Sequence, residues 1–350
     1  MTWKGWEKIP LEIPDPSDPS GKQTVEAIAP VIVSASRSTD IPAFYGDWFT
    51  GRLNAGYVRW KSPFGGRPVF VSFKKARLFV FWSKNPAPFL PVLDTLDRRG
   101  LGYYFLYTLN DYDAERLEPQ VPPVDERIAT FIRLSRRIGK GRVVWRFDPL
   151  VLSDTITVGE LLDRIRYIGD RIAPFTGRLV FSFVDIEKYA KVRRNLCAGG
   201  YRSAREFTDA EVSEFCKGLM HLNEDWGLAV TACAERRDLS RYRIGRGQCI
   251  SYDLMTTEFA GDAELMAFLG PDGQQTLVGS LTADPSRRLK DPGQRNTCRC
   301  IVSKDIGQYS TCPHLCTYCY ANTSAAVVQR NYSHYQVLRG KGIYRDSIVG

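Results

Sequence analysis

The chain has 350 residues, 43% hydrophobic and 25% charged, a globular usage that excludes a disordered or fibrous protein. Its 48 basic against 39 acidic residues leave a net charge of +9, which favours anionic partners without specifying one. No apolar run approaches the roughly 20 residues that cross a bilayer, and the opening Met1-Thr-Trp-Lys-Gly-Trp6 has no signal-peptide core, so a cytoplasmic protein with no membrane partner is expected.

Residues 1–28, with Pro10, Pro14, Pro16 and Pro19, read as an extended lead-in. Short apolar runs then recur at Val31–Ser36, Arg77–Trp82, Tyr103–Leu109, Arg142–Phe147, Arg178–Val184 and Leu228–Cys233, with a seventh at Ile301–Asp305. Several are apolar at consecutive positions, as strands buried on both faces are. Between them, Val124–Ile138, Val158–Ile168 and Asp209–Asn223 have helical amphipathic spacing, and Thr208 with Glu211 fits a capping box. Alternating strands and helices predict an α/β fold of βαβ units. A (β/α) barrel, complete or partial, is the first expectation, and an open doubly wound sheet is the alternative. The expected division is a lead-in over 1–28, a barrel-like domain over 29–295 and a cysteine-rich segment over 296–350 that completes the barrel.

Polar groups follow each strand, where parallel α/β folds place their sites. Arg37, Lys84 and Arg146 stand at three such ends and form the candidate catalytic set.

Nine cysteines in a reducing compartment point to metal ligation rather than disulfides. Cys312, Cys316 and Cys319 have three and two residues between them, so one loop can supply three thiolates to a [4Fe–4S] cluster and leave one iron open. Cys233, Cys249, Cys298 and Cys300 make a further four-thiolate set, the basis for a second, auxiliary site. A cluster is expected there ahead of zinc, because four-thiolate zinc sites usually use CxxC pairs. Cys197 and Cys216 fall in helical stretches and read as inert thiols. His221, His314 and His334 have no metal spacing, and no phosphate-binding or serine-nucleophile sequence is present.

The Cys312-x3-Cys316-x2-Cys319 loop, with Tyr318 before its last cysteine, resembles the cluster loop of the radical S-adenosylmethionine (SAM) superfamily. Ser303-x-Asp305-Ile-Gly307 ahead of it and Tyr320-Ala-Asn322 behind it, together with Ser34-Ala-Ser-Arg37-Ser-Thr-Asp40, Phe81-Trp-Ser-Lys-Asn-Pro86 and Val144-Trp-Arg-Phe-Asp-Pro149, resemble the DUF1848 family. The superfamily resemblance implies that the three cysteines hold three irons and that SAM chelates the fourth. A reducing donor of flavodoxin or ferredoxin type would then drive cleavage of SAM to methionine and a 5′-deoxyadenosyl radical. It also implies Tyr318 near the adenine, with Arg37 and Asp40 standing in for the usual contact to the SAM amino group. The superfamily carries this loop after its first strand, whereas here it follows the last. That placement leaves two accounts: a circularly permuted barrel, with Ile301–Asp305 the strand, Ser310–Cys319 the loop and Tyr320–Asn331 the next helix, or a similar-looking structural cluster on a different scaffold. The substrate expected is an anion, nucleic acid included, and a short resemblance to the Cys-Tyr string of spore photoproduct lyase points the same way. Two other readings stay open: a non-catalytic iron–sulfur protein with structural clusters that binds nucleic acid, and a zinc-bearing structural protein.

Overall fold

The computed structural model describes residues 3–349 except 16, 18, 20, 64 and 271–288. In chain order its strands are β1 (Lys8–Pro14), β2 (Lys22–Ile28), β3 (Ile32–Ser34), β4 (Tyr57–Trp60), β5 (Val69–Ser72), β6 (Leu78–Ser83), β7 (Gly102–Thr108), β8 (Val143–Leu150), β9 (Arg178–Phe183), β10 (Ala229–Ala232), β11 (Gly245–Arg246) and β12 (Lys304–Asp305).

Eight of these form one parallel sheet in the order β11-β10-β9-β8-β7-β6-β3-β12. All seven apolar runs contribute a strand to it. The other four strands make a smaller sheet, β1-β2-β5-β4. The lead-in is therefore a β-hairpin: Ile9, Leu11 and Ile13 alternate with polar residues, and β1 pairs antiparallel with β2. Pro10 and Pro14 fit there because β1 is an edge strand, where a missing N–H costs no ladder bond.

Side chains alternate across a strand, so each run feeds two layers. Phe79, Phe81, Phe105, Trp145, Phe147 and Phe181 face one core, shared with Phe49, Leu93, Phe131, Ile165 and Phe215 from the helices between strands. Ile32, Leu78, Val80, Leu106, Val144 and Val180 face the other, against the helices Tyr252–Glu258 and Ala263–Leu269 and the segment Cys298–Val302. Further along the same face the residues turn polar, at Ser34, Thr108, Arg146, Asp148 and Ser182, and a cavity opens beside them.

Among the described residues no ladder joins β11 to β12, so the sheet is open at that seam and is not a closed barrel. What the structure shows is the open parallel α/β sheet flanked by helices. The seam is crossed instead by single bonds, such as Ile301 N donating to Ile250 O at 3.2 Å.

Helices Val124–Ile138, Val158–Ile172 and Asp209–Trp226 cover the sequence expectations, the last with the Thr208–Glu211 capping box formed. The helix expected at Tyr320–Asn331 begins later, at Ala325, and runs to Gly340. Ser324 caps it, and Asn322 before it is drawn away to donate to Cys312 O at 2.9 Å. No described helix is long and apolar enough to cross a membrane.

Candidate functional site

The cavity at the C-terminal ends of the parallel strands has a volume of about 330 Å³. Arg37, Lys84 and Arg146 line it, as do Asp40, Tyr318 and all seven cysteines expected to bind metal: Cys233, Cys249, Cys298, Cys300, Cys312, Cys316 and Cys319. Cys197 lies exposed and Cys216 buried on helices away from it.

The cluster loop follows β12. Its irregular backbone is held from outside: Tyr45 Oη donates to Thr311 O at 2.5 Å, Asn322 Nδ2 to Cys312 O at 2.9 Å and Asn195 Nδ2 to Cys319 O at 3.1 Å. Ser310, ahead of the first loop cysteine, and Leu315, between the first two, take left-handed conformations, at φ 59° and 54°. Gly307 permits the approach to β3, because a Cβ there would stand 1.8 Å from Ser36 Oγ.

Asp40 ties three elements together. Its Oδ1 accepts from Ala43 N at 2.9 Å and Ser83 Oγ at 2.8 Å, and its Oδ2 accepts from Lys84 N at 2.7 Å and lies 2.8 Å from His314 Nε2. Both oxygens are thus engaged inside the protein. Arg37 is similarly anchored: its amide donates to Asp305 Oδ2 at 2.8 Å, and its guanidinium lies 3.6 Å from Asp291 and over the Trp82 ring. Burial disfavours the guanidinium's charge, but Cys300, Asp305 and Asp291 outweigh it and hold its pKa above the usual value.

Lys84 Nζ lies 2.7 Å from Glu118 Oε1 and 2.9 Å from Tyr318 Oη. Tyr318 also donates to Glu118, which Asn110 Nδ2 and Arg127 Nη1 reach at 2.8 Å and 3.3 Å. Burial acts against the Glu118 carboxylate, yet Lys84 and Arg127 pull its pKa down to about 2. The same pairing, with a contribution from Cys316, overcomes burial to raise Lys84. The Tyr318 hydroxyl is therefore bound into a buried ionic network beside the cluster loop.

Arg146 pairs with Asp148, which also accepts from Ser182, and its Nη1 donates to Cys249 Sγ at 3.2 Å. Burial opposes both charges, but the pairing raises Arg146 and lowers Asp148. Glu118, Asn110, Arg127 and Asp148 are site residues that the sequence reasoning missed. Asp148 and Asn110 had a local signal, the first in the Trp145-Arg-Phe-Asp-Pro149 string within β8 and the second just past the end of β7.

All nine cysteines are free thiols. Among the described residues no three His, Cys, Asp or Glu side chains close on one point as ligands of a single ion would. A multi-iron cluster asks less of them, since each thiolate binds a separate iron. The three loop thiols all line one cavity. Burial pushes Cys312 up to about 12 and raises Cys316 well above a free thiol.

The comparisons with known proteins agree with the sequence on family and add no activity. A family model described as "Domain of unknown function (DUF1848)" matches residues 32–321. Neither curated proteins nor solved structures yield a match. With 32–321 covering most of its length, the chain belongs to the DUF1848 family.

Proposed function

We propose that the protein is an iron–sulfur enzyme of radical SAM type, with a [4Fe–4S] cluster held by Cys312, Cys316 and Cys319 and a substrate taken up in the adjoining cavity. One observation carries this reading: the three-cysteine loop lines the same cavity as Arg37, Lys84 and Arg146, at the strand ends where parallel α/β folds put chemistry. Bound there, the cluster would supply an electron for reductive cleavage of SAM and hydrogen abstraction from the substrate. The consecutive strand order around the sheet is that of a barrel opened at one seam, which suits a permuted arrangement.

The chain's own residues supply charge and rigidity. Lys84 stays protonated beside Glu118 and presents an ammonium to the cavity. Arg146 and Asp148 form a fixed ion pair on its wall. Arg37 spans from the β3 end to the segment before β12. Asp40, with both oxygens engaged, positions Lys84 and His314 rather than meeting a ligand. Arg37, Lys84 and Arg146 line the cavity already paired with carboxylates, so the preference for an anionic substrate, a nucleotide or nucleic acid included, rests mainly on the chain's net charge of +9.

The test is electron paramagnetic resonance of the anaerobically reconstituted, reduced protein with and without SAM. A change of the reduced-cluster signal on adding SAM is expected. An unchanged signal would mean a fully ligated cluster and would move the reading to a structural iron–sulfur protein. A colourless protein with stoichiometric zinc would overturn it altogether.

A further inference from the structure

Cys233, Cys249, Cys298 and Cys300 come from three separate stretches and meet at the open seam of the large sheet. Cys233 follows β10, Cys249 follows β11, and the Cys298–Cys300 pair leads toward β12. Gly247 makes the approach of the first two possible: its N–H donates to Ala232 O at 2.7 Å, and a Cβ would crowd that oxygen at 2.9 Å.

Two of the sulfurs are in contact, and the other two interact with them in turn. Cys233 Sγ lies 3.8 Å from Cys249 Sγ, too far for a bond. Cys249 in turn neighbours Cys300, and Cys300 neighbours Cys298. Donors converge on them from outside. The amides of Cys249 and Ile250 donate to Cys300 Sγ at 3.2 and 3.5 Å, and Arg146 Nη1 donates to Cys249 Sγ. These donors hold the sulfurs of Cys249 and Cys300 in place beside the cavity. All four line the cavity described above.

We propose that these four cysteines hold a second iron–sulfur cluster, ligated entirely by the protein, which fastens the seam between β11 and β12 and faces the cavity. A cluster fits better than one ion. The 3.8 Å pair alone would suit a single tetrahedral metal with bonds of about 2.3 Å, but no third ligand side chain joins it at a point among the described residues. Cys298 and Cys300 are one residue apart, which also suits neighbouring irons better than two corners of one tetrahedron. Four thiolates complete a [4Fe–4S] centre with no iron left open, so this site holds itself closed to SAM. The seam gains what its backbone lacks, because ligation links the paired β10–β11 edge to the segment that leads toward β12.

This proposal stands on residues other than those of the Cys312 loop, and the experiment separates the two. The full chain carrying Cys312→Ser, Cys316→Ser and Cys319→Ser is reconstituted anaerobically with ferrous iron and sulfide. About four irons and four sulfides per chain are expected to remain, with a reduced-cluster resonance that SAM does not alter. Iron-free protein, or one metal ion without sulfide, would overturn the second cluster. Should the triple variant not fold by circular dichroism, Cys298→Ser with Cys300→Ser decides. Its iron is expected to fall from about eight to about four while the SAM response of the wild-type protein persists. Retention of the wild-type iron content would sink the proposal. A wild-type resonance blind to SAM, with iron retained in the triple variant, would instead remove only the reading of the Cys312 loop.

Discussion

Lys84 and Glu118 form an ion pair at 2.7 Å, with the carboxylate almost fully buried and the ammonium at the cavity wall. Removing one partner of such a pair leaves an uncompensated buried charge, which costs about 3–5 kcal/mol. Glu118→Gln strands Lys84, leaves Arg127 with Asp113 as its remaining ion pair, and is expected to destabilise the protein by that amount in urea denaturation. Lys84→Met in the Glu118→Gln background should recover part of the loss. A single-variant loss under about 1 kcal/mol would mean that the pair behaves as a solvated one.

The same carboxylate makes a prediction about acid. Its folded pKa, about 2, lies below that of an unfolded glutamate. A group depressed in this way contributes stability that is present above the unfolded value of about 4.3 and is lost as pH falls toward 2. The wild-type urea midpoint is therefore expected to drop more steeply between pH 5 and pH 3 than that of Glu118→Gln. Parallel curves for the two proteins would contradict the assignment.

Gly307 is a site of close backbone approach. Ser36 Oγ, which a Cβ would meet at 1.8 Å, also accepts from Ser38 N at 3.0 Å and Thr39 N at 3.2 Å. Gly307→Ala must displace either that turn or the start of the cluster loop, at a cost of about 1–3 kcal/mol. Lower iron content after reconstitution is expected along with it. Gly340→Ala, with open space around it, serves as the control and should leave both unchanged.

Thiol labelling reads the whole cysteine set. Cys197 is exposed on its helix, whereas Cys216 is buried with its pKa pushed up to about 12 by that burial. In iron-loaded protein, iodoacetamide at neutral pH is expected to modify Cys197 and spare the seven cavity cysteines, because metal-bound thiolates are not free nucleophiles. After chelation of iron under mild denaturation the seven should react. Equal labelling before and after chelation would argue against metal at either set.

Much of this architecture was legible in one dimension. Continuous apolar runs such as Leu78–Ser83 and Val143–Leu150 mark strands buried on both faces, and Thr208 with Glu211 marks a helix start, because both signals are local. The hairpin β1–β2 had its alternation of Ile9, Leu11 and Ile13 in view, but the prolines around it read more strongly than the pattern. β11, two residues long, carries no periodicity to detect.

The candidate site divides along the same line. The sequence alone marked Arg37, Lys84 and Arg146 as polar groups at the ends of apolar runs, although Arg146 proves to lie within β8, and it marked the Cys312 loop by spacing. Only the tertiary structure decided that Glu118 and Arg127 bury their charges beside Lys84, since partners are separated by up to 34 residues with no shared local pattern. It also decided that Cys233, Cys249 and the Cys298–Cys300 pair meet. Ligand spacing in sequence reports a site only when one loop supplies it; when three segments supply it, the packing of the sheet edge brings the sulfurs together.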